Sequence, residues 1–155
     1  MRKFLVLCLF LLGSAASAVA QTNAPNPAGL WVTNGRDAVV QIYPCGTGGT
    51  LCGALVGFPF DHPTDPAPMT WNNKPQCRFP FITQLMPRRH SWGGFIVDPQ
   101  NGHKYNAKVR VMSENVLRLR GYLFFPALGA KRIWTRYMGP PPPPDCRMAA
   151  DALKK

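Results

Sequence analysis

Acidic side chains are scarce in this chain. Seven Asp and Glu stand against eighteen Lys and Arg, and only three histidines occur. This thins out the groups that move protons or hold metals. Asp61 with Asp65 is the one acidic cluster, and it lies among prolines, where it reads as a turn-former rather than an acid–base pair. His62, His90 and His103 are scattered over loops and strand starts, with no spacing that requires them to converge. Ser91 follows His90 directly, but neighbours on a strand point to opposite faces, so the two do not make a nucleophile and its base. Helical signal is missing as well, apart from a short helix expected at Met148–Leu153. Prolines at positions 59, 63, 66, 68 and 75 forbid a helix across the middle of the chain. The glycine-rich stretch Gly46–Gly53 has no Gly-Lys-Ser/Thr element and no following helix, so it is no phosphate cradle. No catalytic machinery, metal or cofactor is expected.

What is present begins with an export leader. Arg2 and Lys3 precede an apolar run, Phe4–Leu12, too short to span a bilayer as a stable helix. Ala18-Val19-Ala20 forms a small-residue cleavage site before Gln21. Residues 1–20 are therefore expected to be removed, and Cys8 with them. No long stop-transfer run follows, so the mature chain is not expected to be an integral membrane protein. It remains strongly cationic and, by length, a single domain. An exported cation is drawn to anionic envelope components such as lipid phosphates. Nucleic acid is not an expected partner of an exported chain. The competing reading is that the charge only keeps a β-protein soluble.

The rest of the sequence alternates in steps of two. Trp92–Val97 is a strand, Asp98-Pro99-Gln100-Asn101-Gly102 is a turn, and Lys104–Val111 is a second strand. Tyr105, Ala107, Val109 and Val111 share one face of it, and Lys104, Asn106, Lys108 and Arg110 the other, which is wet and basic. Further strands read at Gly29–Val32, Asp37–Tyr43, Ala54–Phe58, Arg78–Leu85, Val116–Phe125 and Lys131–Tyr137. About eight short strands with short links predict an all-β protein, an eight-stranded antiparallel up-and-down barrel. Residues 21–28 read as a flexible arm, 29–138 as the barrel, and 139–155 as a proline-rich tail whose Pro140–Pro144 run stays outside the sheet.

Gly29-x-Trp31 on the first strand and Arg136 on the last resemble the signature of calycin and lipocalin barrels, in which the Trp closes one end and the Arg packs across it. More motifs fall into line: Ile42-Tyr43-Pro44-Cys45 with Leu51-Cys52-Gly53, Asn72-Asn73 with Arg78, and Trp92-Gly93-Gly94 with Asp98-Pro99-x-x-Gly102-x-x-Tyr105. Leu117-x-x-Arg120-Gly121-Tyr122 and Trp134-Thr135-Arg136 complete the series. In this order and spacing they resemble the domain of unknown function 2147 family. The resemblance covers Gly29–Tyr137 and implies a small exported bacterial protein, periplasmic or secreted, with a calycin-type barrel and no established reaction.

Four cysteines remain after the leader, an even number for an oxidising compartment. Cys45 with Cys52 brackets a glycine-rich turn, which leaves Cys77 with Cys146 as the second expected disulfide. The spacing of Cys45 and Cys52 is not that of a zinc site. The expected ligand site combines Arg88, Arg89 and His90, contiguous at one rim, with Trp71, an aromatic in a polar loop placed to cover an apolar tail. Its occupant is a small amphipathic or anionic envelope molecule, such as an anionic lipid. The alternative is an envelope-associated interaction protein with a closed core and a basic outer face.

Overall fold

The computed structural model describes residues 24–154. The expected leader, its cleavage site and Cys8 lie outside these residues. Among these residues nine strands form: β1 (Gly29–Val32), β2 (Val39–Pro44), β3 (Leu51–Phe60), β4 (Pro80–Pro87), β5 (Trp92–Val97), β6 (Lys104–Ser113), β7 (Val116–Tyr122), β8 (Ala130–Arg136) and β9 (Arg147–Ala149). The first eight run antiparallel in the order β2-β1-β8-β7-β6-β5-β4-β3, and β2 also pairs with β3. The sheet thus closes into an eight-stranded up-and-down barrel, which removes the edges that an open sheet would expose.

Strand direction sorts the loops into two ends. Loops 45–50, 88–91 and 114–115 share one end with the entering arm. Loops 33–38, 61–79, 98–103 and 123–129 share the other. Inward-facing Trp31, Val40, Ile42, Leu55, Leu85, Trp92, Val109, Leu117, Leu119 and Trp134 fill the interior between them. Residues 24–28, read above as flexible, close the first end. The Trp31 indole donates to the Pro27 carbonyl at 2.8 Å and the Trp92 indole to the Pro25 carbonyl at 3.0 Å, with Ala24 buried beside them. A buried indole N–H needs such a partner, so the arm is held by the two tryptophans it covers.

Arg136 completes this closure. Its guanidinium carbon lies 3.8 Å from the Trp31 ring centre. Nη1 donates to the Ala28 carbonyl at 3.2 Å, and Nε and Nη2 donate to the Glu114 carbonyl at 3.3 and 3.1 Å. Gly29 has φ +129°, and a Cβ there would collide with Nη1 of Arg136. The spacing Gly29-x-Trp31 therefore has a physical cause: the glycine makes room for the arginine that stacks on the tryptophan. Arg136→Ala is expected to lower stability by about 2–3 kcal/mol, through lost packing and lost charge-assisted hydrogen bonds. Urea unfolding checks this, and an unchanged midpoint would contradict the role given to the arginine.

A second apolar cluster lies outside the barrel. Val32, Val39 and Val56 face outward from β1, β2 and β3 and are covered by Tyr137, Met148 and Leu153. Burial pushes the Tyr137 phenol above its ordinary range. The tail is thus part of the structure. After the prolines it returns as β9, parallel to the far half of β3, with Phe58 N–H donating to the Cys146 carbonyl at 2.8 Å. The helix expected over 148–153 does not form: its start is strand β9 and turns follow. Pairing with β3 and burial of Met148 and Leu153 outweigh a weak local helical preference. Arg147 stacks on Phe60 at 4.1 Å and donates to the carbonyls of Pro63 and Asp65, tying the tail to the long loop. Disulfides join Cys45 to Cys52 and Cys77 to Cys146. No helix among the described residues is long and apolar enough to cross a membrane.

Candidate functional site

The end opposite the arm is hollow because its inward positions are small. Ala107 stands opposite Gly121 and Gly121 opposite Ala130, a row across β6, β7 and β8. A Cβ on Gly121 would meet only Ile96 Cγ2 at 3.6 Å and Tyr105 Cβ at 3.9 Å, ordinary contact distances. The space that remains is a cavity of about 780 Å³ walled by Phe81, Ile96, Tyr105, Leu119 and the loop after β7. Such a volume suits a small ligand. Phe81 and Trp134, with ring centres 6.4 Å apart, are buried beneath it.

The loop after β7 leaves large apolar side chains in water. Leu123, Phe124, Phe125 and Leu128 are 60, 83, 67 and 85% exposed. Main-chain contacts fix the loop instead. Pro126 opens a single 3₁₀ turn, Arg120 Nη1 donates to the Pro126 carbonyl at 2.6 Å, and Asn106 Nδ2 donates to the Leu123 carbonyl at 2.7 Å. A Cβ on Gly129 would run into Tyr122 Cβ and the Gly121 carbonyl, so only glycine brings the chain back into β8 there. Arg132, opposite Leu119 and hence inward-facing, is exposed at the rim. Asp98 also borders the cavity, but its carboxylate accepts from Gln100 N–H at 2.8 Å and Asn101 Nδ2 at 3.0 Å.

The residues expected to form one ligand site are not brought together. Arg88, Arg89 and His90 lie in the β4–β5 turn, at the end closed by the arm. Arg88 lies over Gly93 and borders a groove of about 730 Å³ with Thr50, Ser91, Asn106 and Lys108. Trp71 is at the other end of β5. Its N–H donates to the Pro99 carbonyl at 2.9 Å, its ring meets Phe79 edge-on at 5.8 Å, and its indole would block any Cβ on Gly102. Trp71 therefore buttresses the β5–β6 turn rather than covering the cavity. The strand read at Arg78–Leu85, observed as β4, runs between the two groups and carries them to opposite ends.

The signature residues divide similarly. Gly29, Trp31, Trp92 and Arg136 build the closed end. Gly93 lies beneath Arg88, and a Cβ on Gly94 would stand 2.6 Å from the Thr83 carbonyl oxygen, where β4 bulges close to β5. Asp98 accepts from Gly102 N–H at 2.8 Å within the turn, where Gly102 takes φ +75°. Asp65 Oδ2 accepts from His62 N–H at 2.8 Å, as a turn-former does. Among the described residues no group of three or more His, Cys, Asp or Glu is placed to hold a metal. Sequence reasoning missed Leu123, Phe124, Phe125, Leu128 and Arg132. The available signal was Leu123-Phe124-Phe125-Pro126, an apolar run entering a turn where polar residues are usual.

The molecule is thus a closed up-and-down barrel with one end plugged by its own arm and the other open and apolar. Residues 29–136 match the family described as an uncharacterized protein conserved in bacteria, the domain of unknown function 2147, and the chain belongs to that family. No curated protein and no solved structure matches it.

Proposed function

We propose that the protein is a non-catalytic binding protein of the bacterial envelope, exported by its leader, which takes the apolar chain of an anionic amphiphile into the open mouth. The observation that carries this is the cavity of about 780 Å³ with apolar walls and the inward-facing Arg132 at its rim. Each buried methylene is worth about 0.8 kcal/mol, so a medium-length chain offsets the cost of association. Arg132 places a cation where the head group emerges, and the net charge steers anions inward. The two disulfides are compatible with an oxidising compartment, which supports the periplasm or the cell exterior.

The test is calorimetric titration with dodecyl phosphate below its micellar threshold. Binding is expected at low ionic strength, weakening with salt. Arg132→Ala is expected to weaken it about tenfold or more, the worth of one charge-assisted hydrogen bond. Arg88→Ala with Arg89→Ala, at the plugged end, is expected to leave it unchanged. No binding at low salt would overturn the proposal, and loss of binding with Arg88 and Arg89 would put the site at the other end.

A further inference from the structure

The outer face of β6, β7 and β8 carries an unusual register. Lys108 stands directly opposite Arg120, Arg110 opposite Arg118, and Arg120 opposite Lys131. Like charges placed directly opposite one another on a sheet repel and destabilise it. Strands about 4.8 Å apart bring these five cations within roughly 10 Å across the face. No acidic residue occupies the outward positions of these strands: Lys104, Asn106 and Met112 flank them on β6, Val116 and Tyr122 on β7, Ile133 and Thr135 on β8. The repulsion is therefore uncompensated within the face itself.

This patch adjoins the apolar loop. Lys108, Arg110, Arg118 and Arg120 wall a cleft of about 280 Å³ whose remaining side is Pro126. Arg120 holds that proline's carbonyl, so one edge of the cationic face passes directly into the exposed Phe124 and Leu128. Cations beside protruding aromatic and aliphatic side chains complement a surface with anionic groups at its level and hydrocarbon just below. A small anion would use one or two of the cations and none of the apolar tip. A nucleic acid would use the cations and leave Phe124 and Leu128 in water.

We propose that this face, with the Phe124–Leu128 tip, docks the protein on an anionic lipid bilayer. Its cationic face lies outside the mouth cavity, and only the loop tip is shared with the mouth's rim, so docking does not depend on what the mouth binds. The tip enters the interfacial region while Lys108, Arg110, Arg118, Arg120 and Lys131 lie against the phosphates. Docking in this way also sets the mouth, which the same loop borders, against the membrane surface.

The experiment is co-sedimentation of the mature protein with phosphatidylcholine vesicles and with phosphatidylcholine vesicles containing phosphatidylglycerol. Binding is expected to the anionic vesicles only and to fall with salt. Lys108→Gln with Arg118→Gln is expected to weaken it about twenty-five-fold, from about fivefold per basic residue at an anionic surface. Phe124→Ser is expected to weaken vesicle binding with the net charge unchanged, an effect that charge attraction alone would not give. Circular dichroism of each variant confirms that it is folded. The Lys108/Arg118 variant is expected to bind monomeric dodecyl phosphate as the wild type does, so failure of docking and failure of the mouth reading are told apart. Equal binding to both vesicle types, unchanged binding in the Lys108/Arg118 variant, or binding to a DNA duplex without binding to anionic vesicles would overturn the proposal.

Discussion

Replacing Cys77 and Cys146 together by alanine is expected to lower the stability of the oxidised protein by about 4 kcal/mol, the chain-entropy value for a loop of this length. The disulfide spans a sequence separation of 69 residues and fastens the tail, just before β9, to the long loop before β4. The tail in turn covers Val32, Val39 and Val56 on the outside of the barrel. Removing Cys45–Cys52, which closes a separation of only 7 residues, is expected to cost less, about 2.5 kcal/mol. Urea unfolding of the two double variants ranks them. Proteolysis should then find the Met138–Pro144 segment of the Cys77/Cys146 variant more readily. Equal stability to wild type, or the reverse ranking, would show that β9 and the outer cluster hold the tail without the covalent tie.

Filling the mouth is expected to have the largest functional effect. Gly121→Leu places a side chain in the cavity from a position where a Cβ meets only ordinary contacts. Glycine within a strand is itself weakening, so the substitution is expected to leave the unfolding midpoint unchanged or raise it. It displaces the equivalent of at least two ligand methylenes, about 1.6 kcal/mol, and affinity for dodecyl phosphate should fall about fifteenfold or more. A folded variant that binds like wild type would mean that the ligand does not enter the barrel.

The barrel was legible because its information is local. Alternation along Lys104–Val111, the Asn101-Gly102 turn and short links between strands specify neighbours one at a time, and eight such neighbours close on themselves. The pairing of Cys77 with Cys146 was readable for a different reason: once Cys45 and Cys52 bracket a turn, no other partners remain in the described chain. β9 was not legible. Its three residues carry no strand period, and only the outward-facing Val39 and Val56, which wait for cover, give it a place. The candidate mouth was not legible. The face to which a loop turns depends on strand polarity, which pattern along one strand does not give. Arg88 and Trp71 flank one strand and therefore sit at opposite ends. Arg132 was hidden because alternation alone makes it an ordinary charged residue. Its register opposite Leu119 turns it inward.

Amide chemical-shift mapping of the mature protein during titration with dodecyl phosphate tests the open mouth most directly. The expected result is a set of shifts confined to Leu119, Gly121, Leu123, Ala130 and Arg132, with Arg88–Ser91 and Gly93 unmoved. Shifts centred on Arg88–Ser91, or none at saturating ligand, would contradict it.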